Sequence, residues 1–326
     1  MTIRKVVLMC VMVVAVAIPL TALGSPADDY PSKSLEFVSQ TPGASMDNLG
    51  RLIISVIQQE KLLSQPIAVN NKGGGGGAVQ MAYMLSKKGS PYHFFGTSTN
   101  LLLGTPMIEK LPYSSKDFVP IVNLSLDGSL LYVRADSPFR TVKDLIAEAK
   151  KKPKMLRMAT STVTSGESMT GKALQRSQGA EWNIAYFNGD PEVATNVLGG
   201  HVEFAIGNPN FVFDHIRAGK IRALMAVAPK RYTQGPLKDV PTIGELGLGE
   251  PLVARRAFLG PPEMPDYAVN KLVAVFKKVS EHPTWLKYLD DNMQQSAWMD
   301  AQALGAWISS EAPKHRQRLV DVGLIK

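Results

Sequence analysis

Five short segments place small hydroxyl residues or glycines where an apolar run gives way to a helix-like pattern. They are VSQTPGASMDNLGRLI from Val38, AVNNKGGGGGAVQMAYML from Ala68, FFGTSTNLLLG from Phe94, RMATSTVTSGESMTGKAL from Arg157 and AYFNGDPEVATNVL from Ala185. Unpaired amides at a helix N-terminus, with Ser and Thr hydroxyls beside them, donate hydrogen bonds to an anion without a fixed cation. Few basic residues stand in these turns, so capture of a carboxylate by neutral donors fits better than ion pairing. Each hydroxyl could equally be a helix N-cap with no ligand duty. It is the recurrence in five turns that favours a site.

Other chemistries fit less well. A phosphate loop needs Lys-Ser/Thr after its glycines, and a dinucleotide loop needs G-x-G-x-x-G with a later acid; here Lys72 precedes Gly73 to Gly77, and Ala78 and Val79 follow. TSGES is neither a G-x-S-x-G elbow nor a Ser-x-x-Lys pair in the right place, so no catalytic residue is assigned. His93, His201, His215, His282 and His315 are scattered without metal-ligand spacing. Neither a metal nor a cofactor is expected.

The turns need strands and helices to hold them. SLEFVSQ, PIAVNN, YHFFGTST, LLYVRA, LRMATS, NIAYFN, VEFAIGN and IRALMAV read as strands, most followed by a helical pattern, which is the signature of parallel α/β sheets. Helix starts are well marked. Thr141 with Asp144 forms a capping-box pattern, and Asp190-Pro191-Glu192 reads as an N-cap, a first-turn proline and a first-turn acid. Such a pattern over about 300 residues predicts two α/β lobes. In a parallel sheet the turns gather at the carboxyl edge, where open α/β sheets bind ligands.

The N-terminus carries Arg4 and Lys5, then VVLMCVMVVAVAIPL and the small residues TALGS, which reads as a secretory signal peptide over residues 1–24. The single cysteine, Cys10, falls inside it. With 36 Lys+Arg against 28 Asp+Glu the chain is basic, at +8. That suits anionic small ligands or solubility alone. The basic residues are not concentrated with aromatics on one motif, which argues against nucleic-acid binding.

TPGASMDNLGRLI, VNNKGGGGGAV, FFGTST, DFVPIVNL, ADSPFRTVKDLIAEAKKKP, AYFNGDPEVATNVLGGHVEFAI, HIRAGKIRALMAVAPKR and DVPTIGELGL follow one another in the order and spacing of the Bug family. These are the extracytoplasmic solute receptors of tripartite tricarboxylate transporters, and the chain resembles them over essentially its whole mature length. The resemblance implies a two-lobed periplasmic binding protein of Venus-flytrap, type II-like form, each lobe a mostly parallel sheet flanked by helices. It implies residues 28–124 and 253–326 in lobe one, residues 125–252 in lobe two, and two chain crossings acting as the hinge. It also implies a monomeric periplasmic receptor that binds a small carboxylate (a di- or tricarboxylate or an aromatic acid) and delivers it to membrane permease subunits. A receptor presenting the same ligand to a membrane signalling partner would have the same fold.

By that resemblance the site comprises Gly43, Ala44, Ser45 and Met46 in the first turn, Gly76 in the glycine turn, Thr97 and Ser98 after the third strand, and Ser161, Thr164, Ser165, Phe187, Asn188 and Asn208 in lobe two. The chain departs from the family pattern at several of these. A frequent histidine is absent from the segment Thr164 to Ser168, and Gly207-Asn208 stands where an aspartate is common. The lost aspartate argues against an amino-acid ligand, while Met46, Asn188 and Asn208 suit a neutral or aromatic body bearing one or two carboxylates. Arg255 and Arg256, where the family commonly carries apolar or aromatic residues, are expected to be exposed or near the hinge instead of forming a buried salt bridge.

Overall fold

The computed structural model describes residues 29–163, 165–187 and 189–326. The leader expected over 1–24, with Cys10, lies outside these residues, as do Thr164 and Asn188. The described chain forms two mixed sheets flanked by helices. The first contains β1 (Leu35–Ser39), β2 (Ile67–Asn71), β3 (His93–Ser98), β4 (Val119–Asp127), β10 (Ala254–Gly260) and β11 (Gln295–Met299), in the order β11-β4-β10-β3-β1-β2. The second contains β5 (Ser129–Arg134), β6 (Arg157–Thr160), β7 (Asn183–Tyr186), β8 (Phe204–Gly207) and β9 (Ile221–Val227), in the order β7-β6-β8-β5-β9. All eight strands expected from apolar runs are present. Neither sheet is mostly parallel, however: β1, β2 and β3 pair in parallel, as do β6, β7 and β8, while β4, β5, β9, β10 and β11 pair antiparallel.

Helices α1 (Ser45–Gln59), α2 (Ala78–Leu85) and α3 (Thr99–Ile108) follow β1, β2 and β3; α4 (Val142–Lys151), α5 (Gly166–Gln178), α6 (Asp190–Leu198) and α7 (Phe213–Arg217) serve the second sheet; α8 (Asp266–Glu281), α9 (Pro283–Asp291) and α10 (Ala301–Asp321) close the chain. In α1, Leu49, Ile53, Val56 and Ile57 recur at helical spacing and are all buried. The capping box predicted at Thr141 and Asp144 is formed. At α6, Gly189 and not Asp190 is the N-cap, leaving the Asp190 side chain free for other partners.

The first sheet is apolar on both faces. Phe37, Phe94 and Phe258 pack with Phe276 and Trp285, and Val38, Phe95 and Leu259 pack with Leu304 on the other side. Burial on both faces explains why the runs are near-continuously apolar. Phe258 is fully buried, so its truncation to alanine costs about 3–5 kcal/mol.

The antiparallel pairings have a positional consequence. Ser125 of β4 and Ser98 of β3 both pair with Arg256 of β10, so the end of β4 and the start of β10 share the edge at which β1 and β3 end. In the second sheet Leu130 pairs with Gly207, which puts the start of β5 beside the carboxyl end of β8. Only Gly128 separates β4 from β5. The two turn-bearing edges are therefore joined by a single residue, and it must be small, because a β-carbon there would run into the Tyr232 hydroxyl.

Candidate ligand site

The first turn is held from below. Asp47, buried in α1, accepts from the Gly43 amide at 2.9 Å, Arg51 Nε at 2.8 Å and Asn71 Nδ2 at 2.7 Å. Burial opposes ionisation of this carboxyl, but those hydrogen bonds overcome it and hold the group down to about 2. Ala44 is the N-cap of α1 and offers no side-chain acceptor. The α1 start is thus an exposed N-terminus with no side-chain cap, as anion capture requires. Gly43, Ala44 and Ser45 are exposed there. Met46 is not; it packs into the core against β3, at a point where only Gly96 leaves room.

Gly74, Gly75, Gly76 and Gly77 all have positive φ, a run that side-chain-bearing residues would strain. The turn is fixed by Thr105, whose hydroxyl donates to the Gly76 carbonyl at 2.7 Å. Lys72 does not supply a site cation, since its ammonium lies over the Tyr83 ring, 4.9 Å from the centroid.

Ser98 and Ser165 occupy equivalent places in the two sheets. Ser98 Oγ caps α3 by accepting from the Asn100 amide at 3.3 Å, and Ser165 Oγ caps α5 by accepting from the Ser168 amide at 3.1 Å. Capping uses an oxygen lone pair and leaves the Ser98 hydroxyl hydrogen available to a ligand, whereas a ligand at Ser165 competes with Glu167, to which that hydroxyl donates, and with Thr160 Oγ1 at 3.4 Å. The functional and capping readings therefore coexist. The helix starts also approach each other: a β-carbon on Gly166 would lie 3.4 Å from Asn100 Nδ2 and 2.5 Å from the Leu252 carbonyl. Thr97 is buried, and its hydroxyl donates to the Ser98 carbonyl at 3.3 Å. Ser161 is partly buried in the turn after β6. Phe187 packs its ring against the second sheet's core and donates its amide to Thr160. Asn208 caps a short 3-10 turn through Oδ1, and its own amide donates to Asp190 Oδ1 at 3.4 Å.

Sequence reasoning missed the charges at these edges. Arg256, expected to be exposed or near the hinge instead of in a buried salt bridge, forms an ion pair with Asp127; the two side chains are only 14% and 11% exposed. The register explains it, because β10 and β4 are adjacent antiparallel strands. Arg255 points to the opposite face, half-buried over Trp307 at 4.8 Å. Glu167, in the first turn of α5, is pushed up to about 7 by burial and then by the charge of Asp190, against hydrogen bonds from its own amide and Ser165. Asp190 is raised too, mainly by burial. Three acids and one guanidinium thus gather at the joined edges. No pattern within one segment marks them, since they come from β4, α5, α6 and β10.

A separate hollow of about 400 Å³ between α5 and α10, lined by Met169, Lys172, Arg176, Leu252 and Arg318, includes none of the expected site residues. Among the described residues no group of three His, Cys, Asp or Glu is arranged to hold a metal. No described helix is long and apolar enough to cross a membrane.

The model of the tripartite tricarboxylate transporter family receptor matches residues 54–324. The chain belongs to this receptor family. A UPF0065 protein from the gbd 5' region of Cupriavidus necator is 28% identical over 308 residues, 92% of this receptor and 90% of its own length. A TctC solute-binding protein from Polaromonas, solved without ligand, is 26% identical, covers 89% of this receptor and 99% of its own chain, and superposes with a TM-score of 0.78. Two Rhodopseudomonas palustris structures share the fold at lower identity: Rpa4515 with adipate (22%, TM-score 0.72, 90% of this receptor and 99% of its own chain) and MatC with bound malate (21%, TM-score 0.68, 89% and 100%). Receptors of this family are solute-binding proteins and not enzymes.

Proposed function

We propose that this receptor captures a small carboxylate between its two sheets in the periplasm and delivers it to the membrane permease of a tripartite tricarboxylate transporter. The observation that carries the reading is the α1 start, which has no side-chain cap and shares its sheet edge with Ser98, with Ser165 on the edge joined to it at Gly128. The carboxylates bound to Rpa4515 and MatC support it. In this reading the lobes keep the expected division except that the first boundary falls at Gly128 and not at 124/125, because β4 runs to Asp127 in the first sheet, and they rotate as rigid bodies about Gly128 and the strand-free stretch before Ala254. Ser45 and Gly76 supply amides, Gly43 and Ala44 shape the first turn with their own amides already given to Asp47 and the Thr41 carbonyl, Ser98, Ser161, Thr164 and Ser165 supply hydroxyls, and Phe187, Asn188 and Asn208 contact the solute body. The receptor works as a monomer, without nucleic acid.

Thermal-shift screening of the purified protein against a carboxylate panel tests this. A true ligand at 100 times its dissociation constant adds about 2.7 kcal/mol of stability. Uniform failure of citrate-like, aliphatic and aromatic acids to raise the melting temperature would refute the reading.

A further inference from the structure

The hollow between α5 and α10 continues into a second one of about 380 Å³, with Met169, Leu252 and Arg318 lining both. Together they make one groove whose walls come from both sheets' surroundings: α10 and the start of β10 on one side, α5 and the segment 250–253 on the other. Its two ends differ in chemistry. At the polar end the Arg255 guanidinium lies over Trp307, and it has no carboxylate partner among the described residues. Burial works against its charge, and Glu311 offsets this without pairing to it. Asn100, in the first turn of α3, lines the same end. The other charges there are accounted for: Arg318 pairs with Glu311 and Arg176 with Asp321, Glu250 is exposed, and His315, 3% exposed, is held down to about 4 mainly by burial and so is neutral. At the apolar end Met169, Ala173, Leu252 and Val322 form the lining, and Lys172 donates to the Val322 carbonyl at 3.4 Å.

We propose that this groove is a second ligand site, which takes an amphiphilic monoanion: its carboxylate meets Arg255 and Asn100, and its hydrocarbon chain lies along Met169, Leu252 and Val322. A half-buried cation without a counter-ion is costly, and an anionic head removes that cost. A few placed polar groups at one end of an apolar hollow between two structural units is the common form of a small-molecule site. None of Gly43, Ala44, Ser45, Ser98 and Ser165 lines the groove, so the site is separate from the turn edges and does not rest on the reading above. A short carboxylate leaves the apolar end unused, since each buried methylene contributes about 0.8 kcal/mol. A cationic amphiphile of the same length brings its charge to Arg255 and Lys172.

Calorimetry with octanoate tests this, with butyrate as the chain-length control and octylamine as the charge control. The expected result is octanoate binding at least tenfold tighter than either. Arg255→Gln, which removes the charge, and Ala173→Trp, which fills the groove from an exposed position on α5, should each weaken it at least fivefold, with circular dichroism confirming the native fold. Ala173→Trp carries the test alone if Arg255→Gln does not fold. Equal binding of octanoate and octylamine, or octanoate binding unchanged in the folded groove variants, overturns the inference. So does a loss in the Ser98→Ala/Ser165→Ala double variant with the groove variants unaffected, which would put octanoate at the turn edges. Failure of octanoate to bind at all overturns it as well, and leaves the turn-edge reading standing.

Discussion

Replacing Glu167 by glutamine in the solute-free protein tests whether the edge is electrostatically stressed. An acid whose folded pKa lies above its ordinary value binds its proton more tightly in the fold than in the unfolded chain. Stability is therefore lost as pH rises from about 4.5 to about 7 and stays lost above. At about 1.4 kcal/mol per unit, the displacement to about 7 amounts to about 3 kcal/mol at pH 8 and to almost nothing at pH 4.5. Glutamine imitates the protonated acid, so the variant should match the parent at pH 4.5 and exceed it at pH 8 by up to that amount, roughly 6 °C in melting temperature for a chain of this size. Taking the difference between variant and parent at each pH cancels every other titrating group they share. Melting curves followed by circular dichroism suffice. An equal difference at both pH values, or a variant less stable at pH 8, would show that Glu167 is well solvated or already paired.

Asp47 should behave oppositely. Its lowered carboxyl contributes stability that is complete above about pH 4 and disappears as pH falls through about 2, so Asp47→Asn should cost about 2 kcal/mol in denaturant titrations at pH 7 and far less at pH 2. Ser98→Ala and Ser165→Ala should each weaken solute binding by about 0.5–1.5 kcal/mol, whereas Lys72→Ala leaves it within about twofold; calorimetry showing a loss confined to the lysine variant would replace turn donors by a salt bridge. Arg256→Ala should cost about 3–5 kcal/mol because it strands Asp127 in a buried setting, against about 1 kcal/mol for Arg255→Ala, which loses a half-exposed contact with Trp307; equal urea midpoints would contradict that ranking.

The sequence made the scaffold legible wherever apolar runs were long and their neighbours punctuated. SLEFVSQ and IRALMAV could be little else than buried strands. Three strands were not read from it: β4, VPIVNLSLD, whose Pro120 interrupts the apolar run; β10, whose first residue is followed by two arginines; and β11, QSAWM, which is short and weakly apolar. Their placement depends on partners more than 100 residues away, which also made the sheets mixed. Of the site, turns with capping hydroxyls were visible because a helix start has local chemistry. Met46 reads as a turn residue, yet it enters the core because Gly96 on another strand leaves it space. Glu167 and Asp190 read as ordinary first-turn acids, each favourable alone at the positive end of a helix dipole. Only tertiary convergence turns two favourable placements into mutual repulsion.

The bare α-carbon at Gly166 has a consequence for how such a receptor could diversify. At 166 any added carbon collides with the segment returning to the first sheet, 2.5 Å from the Leu252 carbonyl. Position 166 thus answers to the packing between the helix start and the returning segment, so a receptor of this form could change its solute at neighbouring turn residues and keep this contact.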